Sequence, residues 1–135
     1  MILGIGSDLV NRDRIKASTE RLGMRLLTRV FTNNEISEAD AAMDTIGYYA
    51  RGWAAKEATL KAIGTGLRAD IAWRDIDTSH LMDDRPRLRL LRGAAAYVSA
   101  RFCPLHLIEL NLTFSEAVPW TQAFVIFHEP DPVDR

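Results

Sequence analysis

The stretch from Tyr48 to Ile63 is rich in alanine and is followed at once by Gly64-Thr65-Gly66. Alanine is the strongest helix former, and a glycine just past the last turn takes the left-handed conformation that closes a helix. This is the firmest helix the chain predicts, and any fold must be built around it. Before it, Ile2 to Val10 predicts a strand, and Asn11 is placed to cap a helix running from about Arg14 to Val30, weakened at Gly23. Thr32 and Glu35 have the spacing of a capping box that opens a short helix, and Asp44 to Gly47 predicts a turn. After it, Ile71–Asp77 and Arg87–Leu91 predict strands around an Asp83-Asp84-Arg85-Pro86 turn. Gly93 to Phe102 predicts a further helix. Leu107–Phe114 and Gln122–Phe127 predict a hairpin across Ser115 to Trp120. Strands and helices are mixed without strict βαβ alternation, so the expected class is α+β, an antiparallel sheet packed against helices.

A chain of 135 residues holds one domain, expected over 1–128, with Glu129–Arg135 a loose tail carrying two prolines. The net charge of -1 gives no bulk attraction for nucleic acid. Cys103 is the lone cysteine, which excludes an intrachain disulfide and a cysteine-based zinc site. No apolar run approaches the ~18 residues of a membrane span, and the start, with Asp8 so early, lacks the form of a signal peptide. A soluble, cytoplasmic protein is expected.

Two carboxylates stand out. Asp8 interrupts an otherwise apolar strand, where aspartate is disfavoured, and the capping role it could claim falls better to Asn11. Glu57 lies about 40° from Trp53 on a helical wheel, at the border of the apolar stripe of Trp53, Leu60 and Gly64. Such a carboxylate needs a partner or a cation. Its bland partner is Lys61, four residues on, in a surface pair worth about 0.2–0.5 kcal/mol. Alternatively, two isolated carboxylates suit Mg²⁺, which fills its octahedron with water and phosphate oxygens.

Gly64-Thr65-Gly66 follows a helix C-terminus, where the dipole repels anions, so its default role is capping. A phosphate nearby would need Lys56, Lys61 or loop amides freed from that duty. On an unbroken first helix, Arg14, Arg21, Arg25 and Arg29 fall within an arc of about 80°, beside Ile15 and Leu22. This is either a solvated basic face or a docking surface for an acidic helical partner. His80, His106 and His128 have no ligand spacing.

Together these pieces resemble the holo-[acyl-carrier-protein] synthase family from Ile2 to about Phe127. Gly4-Ile-Gly-Ser-Asp-Leu-Val10 is similar to its opening Gly-x-Gly-x-Asp-(Ile/Leu)-Val, and Arg29-Val-Phe-Thr32 with Glu35 to its Arg-(Ile/Val)-(Phe/Leu)-Thr-x-x-Glu. Trp53-Ala-Ala-Lys-Glu-Ala58, Lys61-Ala62 and Gly64-Thr-Gly66 resemble its most specific signature. The resemblance implies a single compact 4'-phosphopantetheinyl-transferase-like domain that moves 4'-phosphopantetheine from coenzyme A to a serine of apo acyl carrier protein, releasing 3',5'-ADP, in lipid synthesis. It implies Asp8 and Glu57 as Mg²⁺ ligands, and Glu57 or a metal-bound water as the base for the serine. Lys61 would act on the leaving phosphate, with Lys56, Lys61, Gly64, Thr65, Gly66 and Pro86 around coenzyme A. Arg14, Arg21 and Arg25 become the carrier-docking face, and the assembly a homotrimer with sites between subunits.

The chain departs from the family pattern in three places. Gly52 stands where arginine usually precedes the aromatic, with Arg51 one place earlier. Asp84-Arg85-Pro86 replaces Gly-Lys-Pro, and Thr113-Phe114-Ser115 replaces a Ser-His-Thr-like end. The competing functions are a Mg²⁺-dependent pyrophosphatase of coenzyme A or a nucleotide, and a non-catalytic binder of coenzyme A or carrier protein.

Overall fold

A computed structural model describes residues 1–68 and 70–134. Strand β1 (Ile2–Asn11) leads into helices α1 (Arg12–Leu22), α2 (Met24–Val30), α3 (Asn33–Ala41) and α4 (Thr45–Ile63). Strands β2 (Ile76–Ser79) and β3 (Arg87–Leu90), helix α5 (Arg92–Arg101), and strands β4 (Glu109–Ala117) and β5 (Trp120–His128) follow. The main sheet is antiparallel with order β1-β5-β4, and β2 pairs with β3 in a separate two-stranded ribbon. The α+β class is as expected.

Alternation organises the main sheet. Gly6 and Val10 of β1 are buried, as are Thr121, Ala123, Val125 and Phe127 of β5, and they face α4. The opposite face carries Ile5, Leu9, Trp120, Phe124 and Ile126, all exposed. A period of two makes this division automatic once the register is set, with Asp8 opposite Ala123 and Ile5 opposite Ile126. Helix α4 is buried almost all round, its alanines Ala50, Ala54, Ala55 and Ala58 excluded from water, and it is the axis of the core with Phe31, Leu60, Ile76 and Phe127.

Local chemistry explains the element ends. The Asn11 side chain accepts from the Asp13 amide, and the Thr32–Glu35 capping box closes in both directions. Four expectations need correction. The helix from Arg14 to Val30 is two helices, because Gly23 takes φ 56° and its N–H bonds to the Thr19 carbonyl. Asp44 to Gly47 is no free turn: Asp44 accepts from the Gly47 amide and so begins α4 at Thr45. The strand expected over Ile71–Asp77 forms only at Ile76 and Asp77; Trp73–Asp75 make a 3₁₀ turn, since the Asp75 carboxylate takes the Ala72 amide and the Arg92 guanidinium, both at 3.0 Å. The terminal hairpin runs further than expected, leaving only Val118 and a cis Pro119 between its strands. Of the expected tail, Glu129 pairs its backbone with Met1 and Pro132–Asp134 form one 3₁₀ turn, while Arg135 lies outside the described residues.

Candidate active site

Glycines on β1 bring the strand into backbone contact with α4. A methyl group on Gly4 would lie 1.9 Å from the Ala62 carbonyl oxygen, and one on Gly6 would lie 1.8 Å from that of Ala58. Neither distance is physically possible, so only glycine permits this approach. The next residue on the same face is Asp8, which meets α4 where Glu57 and Lys61 project. Lys61 Nζ donates to Asp8 Oδ1 and to the Ser7 carbonyl, each at 3.0 Å. Asp8 and Glu57 line one cavity of about 350 Å³ with Arg14, Ile15, Leu22, Leu26 and Trp53.

The i,i+4 pairing of Glu57 with Lys61 is therefore not what forms: the ammonium crosses to the strand instead. Glu57 has no hydrogen-bond donor or ion-pair partner among the described residues. Partial burial, and then the nearby Asp8 carboxylate, push its pKa above the ordinary value, against a smaller opposing effect of Lys61. Two carboxylates at a cleft, one of them unmatched, form an all-oxygen donor pair that fits a hard divalent cation completed by phosphate and water. Among the described residues no cluster of three or more His, Cys, Asp or Glu is gathered, so a metal here would rest on two protein ligands.

Other expected site residues are dispersed. Lys56 lies in the core: it is fully buried, and its Nζ donates to Glu35 Oε1 at 2.9 Å and to the Trp73 and Ile76 carbonyls. A lysine with its donors spent in the core holds no phosphate. The Gly64 and Thr65 amides bond to the Leu60 carbonyl as the helix cap, with Gly64 at φ 83°, while Gly66 takes no part in that capping. The Thr65 hydroxyl is buried without a partner among the described residues. Pro86 lines a different cavity, with His80, Arg87 and Arg89, so one chain does not bring it to Asp8 and Glu57. The break at Gly23 separates Arg14 and Arg21 on α1 from Arg25 and Arg29 on α2, so the four do not share the unbroken helix on which their arc was read. Arg14 reaches the carboxylate cavity, and Arg25 and Arg29 flank a small pocket with Leu22 and Leu26.

Sequence reasoning missed the burial of Glu35. Its Oε1 takes the Thr32 amide and Lys56, and its Oε2 takes the Thr78 amide and hydroxyl. The capping box signalled only the first of these four bonds. The rest link α3 and α4 to β2, which no local pattern encodes.

A family model for the 4'-phosphopantetheinyl transferase superfamily matches residues 4–118, and the chain belongs to that superfamily. Within it, the chain is similar to holo-[acyl-carrier-protein] synthases. The one from Cereibacter sphaeroides is 44% identical over 126 residues, covering 93% of this chain and 92% of the relative. The crystal structure of the Neisseria meningitidis synthase matches with a TM-score of 0.83 at 29% identity, over 96% of this chain and all of that one (100%). The Helicobacter pylori synthase, solved in complex with coenzyme A, matches at a TM-score of 0.75 and 26% identity, over 92% of this chain and 99% of that one. Among the described residues no helix is long and apolar enough to cross a membrane.

Proposed function

We propose that this protein transfers 4'-phosphopantetheine from coenzyme A to a serine hydroxyl of apo acyl carrier protein and releases 3',5'-ADP. The observation that carries the reading is the convergence of Asp8 and Glu57 at one cleft, with Lys61 paired to Asp8, where the β1 glycines let the strand close on α4. Asp8 and Glu57 would hold Mg²⁺, which when bound screens the pyrophosphate and stabilises charge on the leaving group. The serine oxygen bonds to the β-phosphorus as the bridging P–O bond to 3',5'-ADP breaks. Glu57 receives the serine proton, and its raised pKa makes it a stronger base than an exposed carboxylate. Lys61, about half exposed, meets the departing phosphate with an ammonium group.

The carrier docks over α1 and α2. Among the described residues, Arg14, Arg21, Arg25 and Arg29 form no salt bridge, whereas Arg12, Arg51, Arg68, Arg89 and Arg92 all do. Unpaired guanidinium groups around an apolar-lined cleft suit an acidic amphipathic helix. The exposed outer face of the sheet, with Ile5, Leu9, Trp120, Phe124 and Ile126, supports burial against further copies in a homotrimer. Assembly would also let Pro86 of one copy approach the cleft of another. A cytoplasmic enzyme is the reading that goes with these substrates.

Incubation with coenzyme A, Mg²⁺ and apo carrier protein tests this by intact mass. The carrier should gain one 4'-phosphopantetheine. Release of 3',5'-ADP with an unmodified carrier would make the protein a pyrophosphatase, and no turnover at all would make it a binder.

A further inference from the structure

We infer that Lys61 is the resident counter-ion of Asp8 and competes with the divalent cation for that carboxylate. The inference rests on the metal reading above and adds to it. Asp8 is drawn against α4 by the two glycines before it on the strand, and its side chain keeps only 17% of its exposure. A carboxylate so desolvated is unfavourable without a partner. Lys61 supplies one at 3.0 Å and anchors itself on the Ser7 carbonyl, the residue beside Asp8. The fold thereby gives Asp8 a cationic partner from the chain itself.

That solution has a consequence for loading. A divalent cation on Asp8 would sit within a few ångströms of the ammonium, and like charges at that distance in a half-desolvated cleft repel strongly. Lys61 must swing away or the cation must bind weakly. Lys61 is 54% exposed and rooted near the C-terminal end of α4, so its side chain is free to move outward once an anion offers a second place for the charge. The pyrophosphate is that anion. Lys61 therefore disfavours the cation alone and favours the cation with its nucleotide, which ties metal binding to arrival of substrate. Glu57 does not offer the ammonium an alternative within the cleft, since the ion pair forms with Asp8 and not with Glu57.

The test is titration calorimetry of Mg²⁺ and Mn²⁺ alone, without coenzyme A, on the intact protein and on variants. Lys61→Met keeps the stem and removes the charge, and should bind either cation about fivefold or more tightly than wild type. Lys61→Arg keeps the charge and should bind as wild type does, which separates charge from a general loosening of the site. Repeating the titration with coenzyme A present should shrink or reverse the advantage of Lys61→Met. Thermal melts give a second readout: Mg²⁺ alone should raise the Tm of Lys61→Met more than that of wild type. Equal cation affinity in wild type and Lys61→Met would overturn the inference while leaving the metal site standing. Failure of Asp8→Asn to weaken cation binding would instead remove the metal reading itself. If Lys61→Met were unfolded without metal, recovery of the fold by Mg²⁺ would support the counter-ion role, and no recovery would refute it.

Discussion

Replacing Lys56 with methionine tests whether the buried lysine is a structural ion or a coenzyme A ligand. The side chain is fully buried, as is its partner Glu35. Burial pulls the Lys56 pKa down from its ordinary value, and the Glu35 carboxylate opposes that shift. Methionine fills most of the volume but leaves Glu35 with no counter-ion and strips the donor from the Trp73 and Ile76 carbonyls. Breaking one side of such a pair typically costs about 3–5 kcal/mol. Three of the four hydrogen bonds to Glu35 survive, from the Thr32 amide and from Thr78, so the lower half of that range is expected. Urea unfolding at pH 7 measures it, with the m-value expected to hold. A second substitution, Glu35→Gln, removes the stranded charge and keeps an acceptor, so the double variant should be less destabilised than the sum of the two single changes. A loss below about 1 kcal/mol, or strict additivity, would refute the buried-pair argument. Folded Lys56→Met should retain coenzyme A affinity, and losing it with stability intact would return Lys56 to the nucleotide.

Glu57→Gln should abolish transfer yet raise Tm at neutral pH. The folded pKa is raised, so protonated Glu57 contributes stability that is fully present below the ordinary carboxylate pKa and is lost as pH rises through the folded value and the buried group ionises. The gain from Gln should thus vanish in acid, and a Tm difference that persists there would contradict the linkage. Gly6→Ala should lose well over the ~1–3 kcal/mol of ordinary overpacking, because the clash is with backbone and cannot rotate away; near wild-type stability in chemical unfolding would contradict the close approach. Reversing Arg14 and Arg21 to glutamate should raise the carrier KM about tenfold or more, with a smaller effect at high salt. Unchanged carrier KM at low salt would refute docking on α1, and equal harm to coenzyme A use would assign these arginines to the nucleotide.

The helices were legible where their signals are local. Asn11, Thr32 with Glu35, and Gly64 act within one turn, and each caps the helix it was expected to cap. The Gly-x-Gly-x-Asp run was legible as a motif but not as geometry. Nothing in the strand itself says that its glycines face Ala58 and Ala62, because that depends on a helix some fifty positions on. Lys56 shows the same limit: its place in the signature does not say that tertiary packing turns it inward onto Glu35. Gly23 was the reverse case. Its weakening of the first helix was visible, but a complete break, and the loss of the arginine arc, follows from a positive φ that only the assembled structure fixes.

The departure at Gly52 has a physical account that ends in a last prediction. A methyl group there would meet Phe31 Cε1 at 2.8 Å and Leu81 Cδ1 at 3.3 Å, so position 52 faces the core and has no room for an arginine. Arg51, one residue and about 100° away, points elsewhere: it pairs with Glu116 of β4, donates to the Leu81 carbonyl and lies 5.1 Å over the Phe114 ring. Its guanidinium fastens the end of the β4–β5 hairpin, and the loop before β3, to α4. A charged hydrogen bond contributes roughly 1.5–3 kcal/mol and an exposed cation–π contact about 0.5–1. Both partners here retain some exposure, which lowers the total. Arg51→Met should therefore cost about 1–3 kcal/mol in urea unfolding and leave the KM for coenzyme A unchanged. A large rise in that KM with full stability would mean that Arg51 reaches the nucleotide after all, and that the one-residue displacement rebuilt the contact instead of abandoning it.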